Sequence, residues 1–353
     1  MVVRRARRGH ARPFPVATPY GTGPRLHVEA EIARRRWAPA PSPASADLLI
    51  VCGDLDDALG AAVQEVWDGM PGPRVRLDLP SGAERGAVTA ALDDAVTALS
   101  TAPPRDDPGV LPPVQADAPA HGGVAMAGRA DDRDGLRLDV LHVPLGPVLS
   151  DWPGGLVVET ELQGDVIQAA RVGVVGTGVA APAEPYWDRP WPAVRDGGRA
   201  TRGEAERRRA AAYLDGLGRL LAVAGWPWAA SRARSLRDQA LAGRPASVLV
   251  PAYARFELRV RRSRILRWML HGIGTGLDGG SVLDRTGHRL AAAGDALGRI
   301  QDPAPLDPAR PPRPETGDLA AMLTGSELAA ARLIVAAVDP RTDLAGRRAA
   351  ANG

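Results

Sequence analysis

The chain has 353 residues, one cysteine, a formal net charge of +3, and arginine at all 44 of its basic Lys/Arg positions. The lone Cys52 excludes an internal disulfide, a cysteine zinc site or a four-cysteine cluster held by this chain alone, and the absence of lysine excludes a Walker A phosphate loop and Schiff-base catalysis. The charge is too small, and its arginine origin too general, to imply a nucleic-acid partner, and no apolar run approaches the length needed to span a bilayer.

In chain order, residues 1–23 read as a basic, irregular arm broken by Pro13, Pro15, Pro19 and Gly21. The first twelve residues lack the apolar stretch of a secretory signal, which with the single cysteine leads to the expectation of a cytoplasmic protein. A short helix is predicted over 28–36. The run Leu48-Leu49-Ile50-Val51, bounded by Asp47 and Gly53, predicts a buried parallel strand. A helix over 54–69, a strand through Val75, Leu77 and Leu79, and a helix over 86–99 complete an α/β unit at 24–100. Residues 101–135, rich in Pro, Gly, Ala and Asp, read as a flexible linker.

An α+β part is expected over 136–345. Apolar–polar alternation predicts strands at 136–143 and 156–162 joined through Pro153-Gly154-Gly155, and a third at 166–175 after the Gly164-Asp165 turn. Helices are expected at 204–224 and from Pro227 to Leu241, forming a helical hairpin. Beyond it lie a basic amphipathic stretch at 248–276, helices at 286–300 and 319–331, a terminal strand at 333–338, and a polar tail at 346–353.

Ordinary motif rules identify no catalytic residue, metal ligand set or cofactor-binding residue. The G-x-G-x-x-G match at 274–279 lacks the preceding strand that dinucleotide binding needs, so a flexible loop is expected. The six histidines are scattered, and Cys52 is expected to end a core strand. The densest basic run, Arg255 to Arg267 followed by His271, suits an exposed helix face or a partner interface, with Ile265, Leu266, Met269 and Leu270 expected to pack inward. It shows no accompanying aromatic stacking platform, which argues against nucleic acid. Trp187, Trp191, Trp226 and Trp228 suit loop anchoring or ligand packing.

Several segments resemble a family in its own order. Pro24-Arg25, the strand Ala46-Asp47-Leu48-Leu49-Ile50-Val51-Cys52-Gly53 and Val66-Trp67-Asp68-Gly69-Met70-Pro71-Gly72-Pro73 resemble the small, cluster-bearing quinone-site subunit of complex I and of energy-converting membrane-bound hydrogenases. His142-Val143-Pro144-Leu145-Gly146-Pro147 with Gly155 to Ile167, then Arg264-Ile265-Leu266-Arg267 to Gly274, then Leu319 to Gly325 and Val335 to Pro340, resemble the large partner subunit, whose fold is that of nickel–iron hydrogenase large chains.

The resemblance implies a fusion of shortened small and large subunits. In the family these chains build the quinone site and dock on a membrane arm. The cluster cysteines expected near 16–21, near 80–82 and in a later loop are absent, and the loop equivalent to the family's quinone-contacting loop, with Leu149, Asp151 and Trp152, carries no histidine. The implied role is a redox-inactive structural or adaptor subunit without its own cofactor. It would sit on the cytoplasmic side of a complex I-like or hydrogenase-like assembly, peripheral to the inner face of the cell membrane. Its partners would be antiporter-like membrane subunits, met through Arg261, Arg262, Arg264, Arg267 and His271. Two alternatives stay open: a quinone-binding subunit using a cluster from another chain, and a free-standing soluble binding protein.

Overall fold

The computed structural model describes residues 10–101, 129–131, 137–180, 185–275, 280–309 and 318–345. Most of the expected linker, the 346–353 tail and the later part of the 274–279 glycine loop lie outside the described residues.

The N-terminal lobe is a three-stranded parallel sheet in the order β1 (Pro13–Ala17), β2 (Leu48–Cys52), β3 (Val75–Leu79). All five residues of β2 are fully buried, because helices cover both faces. Leu48, Ile50 and Cys52 face Val28 and Ile32 of α1 (Thr22–Arg35) and Val88 and Leu92 of α3 (Arg85–Thr101). Leu49 and Val51 face Leu59 and Val63 of α2 (Asp57–Gly69). The strand and helices expected between 48 and 99 are present.

β1 corrects the reading of residues 1–23 as an irregular arm. Its prolines are compatible with a strand because β1 is the sheet edge and pairs only with β2, so their missing N–H groups interrupt no second ladder. Its own Phe14 and Val16 are buried.

The C-terminal lobe begins with an antiparallel sheet in the order β4 (Arg129–Asp131), β5 (Arg137–Leu145), β6 (Leu156–Gln163), β7 (Val166–Val174). β4 falls inside the stretch read as linker. Its pairing with β5 shows that at least this part belongs to the sheet. A short helix, α4 (Trp191–Arg195), precedes the expected hairpin, α5 (Arg202–Val223) and α6 (Pro227–Leu241). α5 opens on a capping box in which Thr201 and Glu204 satisfy each other's backbone N–H groups.

The basic stretch folds as α7 (Ala246–Arg262) and α8 (Arg264–Leu270), separated at Ser263, whose hydroxyl accepts from the Leu266 N–H. Then come α9 (Val282–Gly298), α10 (Leu319–Leu323) and α11 (Leu328–Val338). The terminal strand expected at 333–338 is instead the end of α11. That segment is buried on almost every side among α5, α9 and α10, so its apolar run carries no helical periodicity, and its alanines favour the helix.

One extended core joins β5–β7 to the helices, while Val148 and Val175 reach from this lobe into the N-terminal core beside α2. The resulting architecture is an α/β unit followed by an α+β unit, with the two in direct contact.

Candidate functional site

The seam between the lobes is built from chain ends and a buried ion network. The carboxyl end of β1, the edge strand of the parallel sheet, runs into Thr18-Pro19. The 146–155 loop between β5 and β6 closes on it. Gly154 lies so near that an added Cβ would sit 2.3 Å from the Thr18 carbonyl oxygen, and at Gly155, with φ +70°, one would sit 2.1 Å from the Val175 carbonyl. Only glycine permits this approach of the two backbones.

Behind the loop, Arg25 of α1 crosses to Asp215 of α5, with its Nη2 2.7 Å from Oδ2 and its Nη1 3.2 Å from Oδ1. Asp215 also accepts from Arg237 of α6 at 2.6 Å and pairs with Arg219 at 3.2 Å. Glu29 of α1 pairs with Arg25 at 2.6 Å, Arg237 at 2.6 Å and Arg234 at 3.5 Å. Arg219 continues to Asp339, the C-cap of α11, at 2.7 Å, and Arg234 continues to Asp151 of the loop. One network therefore ties α1, α5, α6, the 146–155 loop and the end of α11.

Burial alone would raise the carboxyl pKa values here. At Glu29 the nearby Arg25, Arg237 and Arg234 outweigh it and hold the group down to about 2. Arg25, Arg219 and Arg237 likewise hold Asp215 far below the usual carboxylate range. At Asp151 burial prevails over the attraction of Arg234, and the pKa is raised.

Beside the network lies a cavity of about 310 Å3. Thr18, Pro19 and Arg25 form one wall, Trp152, Pro153 and Gly154 a second, and Trp187, Trp191, Arg209, Tyr213, Arg289 and Arg341 much of the rest. Trp152 is fixed by donating its Nε1–H to the Leu156 carbonyl at 2.8 Å. Trp187 and Trp191 are buried, and Arg209 lies over the Trp191 ring at 5.7 Å.

Of the three residues expected in the quinone-loop equivalent, Trp152 lines the cavity. Asp151 sits at φ +56° in the ion network, and Leu149 packs against the C-terminal core. Sequence reasoning did not single out Glu29, Arg209, Tyr213, Asp215, Arg219, Arg237, Arg289 or Arg341. The available signal was Asp215, a carboxylate beside the apolar stripe of α5 and four residues before Arg219, but its partners come from distant segments.

The expected partner-interface residues occupy a second surface on α7 and α8. Arg262, Arg264, Arg267 and His271 are exposed. Arg261 is engaged locally, donating to Glu257 at 2.8 Å and to the Gly287 carbonyl at 3.3 Å. Two expectations are overturned here. Ile265 does not pack inward but is 73% exposed; Leu266 and Leu270 form the buried side. Aromatic side chains do accompany the arginines: Trp268 is 80% exposed, and Trp228 of α6 is stacked under Arg259 at 4.3 Å. Leu258, with Arg255, Arg259 and Arg262, lines a shallow depression beside Trp226.

Cys52 is fully buried, and burial pushes its thiol well above the ordinary range. Among the described residues no three His, Cys, Asp or Glu side chains gather in a metal-binding group, and no helix is long and apolar enough to cross a membrane. No family model, curated protein or solved structure matches the chain.

Proposed function

We propose that the chain is a structural, redox-inactive adaptor of a complex I-like or hydrogenase-like membrane assembly. It would act on the cytoplasmic side, joined to the membrane through partner subunits. The observation that carries this reading is the α7–α8 face, where Ile265 and Trp268 stand in solvent among Arg262, Arg264 and Arg267. Exposed aromatic and aliphatic groups ringed by arginine have the composition of a protein-interface core. A partner with apolar anchors and a carboxylate rim would complement it.

The resemblance in the sequence supplies the kind of partner: multi-span, antiporter-like subunits. The test is purification of the tagged, full-length chain from its own cells in mild detergent. Recovery with multi-span membrane subunits supports the adaptor, and a chain that stays soluble and alone overturns it.

A second reading, a quinone-binding subunit fed by a cluster in another chain, is favoured by Trp152 in the wall of the seam cavity. Iron analysis and EPR of the purified assembly separate the two. A reducible cluster signal that responds to added quinone supports the second reading.

A further inference from the structure

We propose that the seam cavity binds a small aromatic monoanion, most simply an arene carboxylate, with Arg289 as its counter-charge. This site is independent of whether the chain is an adaptor.

The charge balance around the cavity points to an anion. Five arginines and two aspartates line it. Four of those arginines have carboxylate partners: Arg25 has Asp215 and Glu29, Arg219 has Asp215 and Asp339, Arg341 has Asp188 and Asp343, and Arg209 has Glu206. Arg289 has none within ion-pair distance among the described residues. Its guanidinium donates only to the carbonyls of Ala336 and Ala337 at the end of α11, at 3.2 and 2.9 Å. Burial lowers its pKa more than the attraction of nearby Asp339 raises it, the mark of a cation whose lost hydration is incompletely replaced. A negatively charged ligand would replace it.

A further donor is available around the same space. The hydroxyl of Tyr213, also in the lining, has no protein partner among the described residues. Guanidinium groups favour planar carboxylates, which accept two parallel N–H bonds. Asp339 already offsets part of the Arg289 charge, so a phosphate dianion is a poorer fit than a monoanion.

The remaining lining supplies flat apolar walls. Trp152, Trp187 and Trp191 all reach the lining and are each almost fully buried, so the surrounding protein holds them in place. Rigid indoles of this kind favour a planar ring, which packs against them with little loss of side-chain freedom. A cavity of about 310 Å3 lies at the small end of ligand sites and suits a bicyclic acid rather than a long-chain cofactor.

Calorimetry on the full-length chain tests the assignment with three probes: 2-naphthoate, its neutral amide 2-naphthamide, and decylubiquinone. The acid is expected to bind at least about tenfold more tightly than the amide, since charge-assisted hydrogen bonds are roughly twice as strong as neutral ones. Arg289→Gln should erase that preference, and Tyr213→Phe should weaken the acid alone. Equal affinity for acid and amide, preference for the quinone, or no binding of the acid overturns the proposal. Should Arg289→Gln fail to fold, the acid–amide comparison on the native chain decides by itself. Whether membrane subunits copurify does not bear on this result.

Discussion

Arg25 of α1 and Asp215 of α5 are 190 residues apart in the chain and meet through two hydrogen bonds across the lobe seam, with Asp215 only 1% exposed. Their bond joins the small parallel sheet to the helical lobe. Because Arg219 and Arg237 lean on the same carboxylate, Asp215 neutralises more than one cation. Breaking a buried ion pair by removing one partner leaves an uncompensated charge. Asp215→Asn is therefore expected to lower unfolding free energy by about 3–5 kcal/mol. Urea denaturation of the full chain measures it, and a loss below about 1 kcal/mol would show that the network does not hold the seam.

The same network sets an acid limit. Glu29 and Asp215 both titrate lower in the folded chain than in the unfolded one, so the stability they contribute is present above the unfolded carboxylate pKa and is lost as pH falls towards the folded value. For Glu29 that window runs from 4.5 down to about 2. Asp47, Asp151 and Asp238 have raised values and act in the opposite sense, which makes the net slope shallower. Thermal melts at successive pH values should show Tm falling below pH 4.5, and Asp215→Asn should reduce that dependence.

Close backbone contact at the seam gives a steric test. Gly154→Ala would place a methyl 2.3 Å from the Thr18 carbonyl oxygen, and neither backbone can yield without parting the lobes. A loss of about 1–3 kcal/mol is expected, the usual cost of overpacking. Gly60→Ala, on α2 with open space around it, is the control and should be neutral or slightly stabilising.

The lone cysteine reports on the N-terminal core. Cys52 is fully buried with its thiol pushed up, so it should resist maleimide under native conditions and react only at the rate of opening or unfolding. Asp215→Asn should accelerate labelling if the seam and the sheet open together. Unchanged labelling would mean that the N-terminal sheet opens separately.

What the sequence made legible depended on locality. β2 was readable because one continuous apolar run, Leu48 to Val51, serves both sheet faces, and the α5–α6 hairpin because its caps and stripes are local. β1 was obscured by its prolines, which only its edge position excuses. Residues 333–338 look like a separate strand in the sequence because a helix buried all round has no polar face to reveal its period. The site was less legible than the fold. Trp152 is legible in the sequence, but Arg289 owes its isolation to the end of α11, and Glu29 owes its pairing to side chains some 200 residues away, such as Arg237 at a separation of 208. On α8, Ile265 and Leu266 are equally apolar, and only the packing of α8 on α9 decides which is buried.

The adaptor claim rests on the exposed face of α8, so its most direct test is a comparison of copurified partners. The tagged chain and its Ile265→Asp, Trp268→Glu variant are purified in parallel from native membranes in mild detergent. Both positions are exposed, so the variant should fold with stability within about 0.5 kcal/mol per substitution of the parent. The expected result is that the parent retains multi-span membrane subunits and the folded variant loses them. A parent chain recovered alone, or a variant that keeps the same partners in the same yield, would contradict the account.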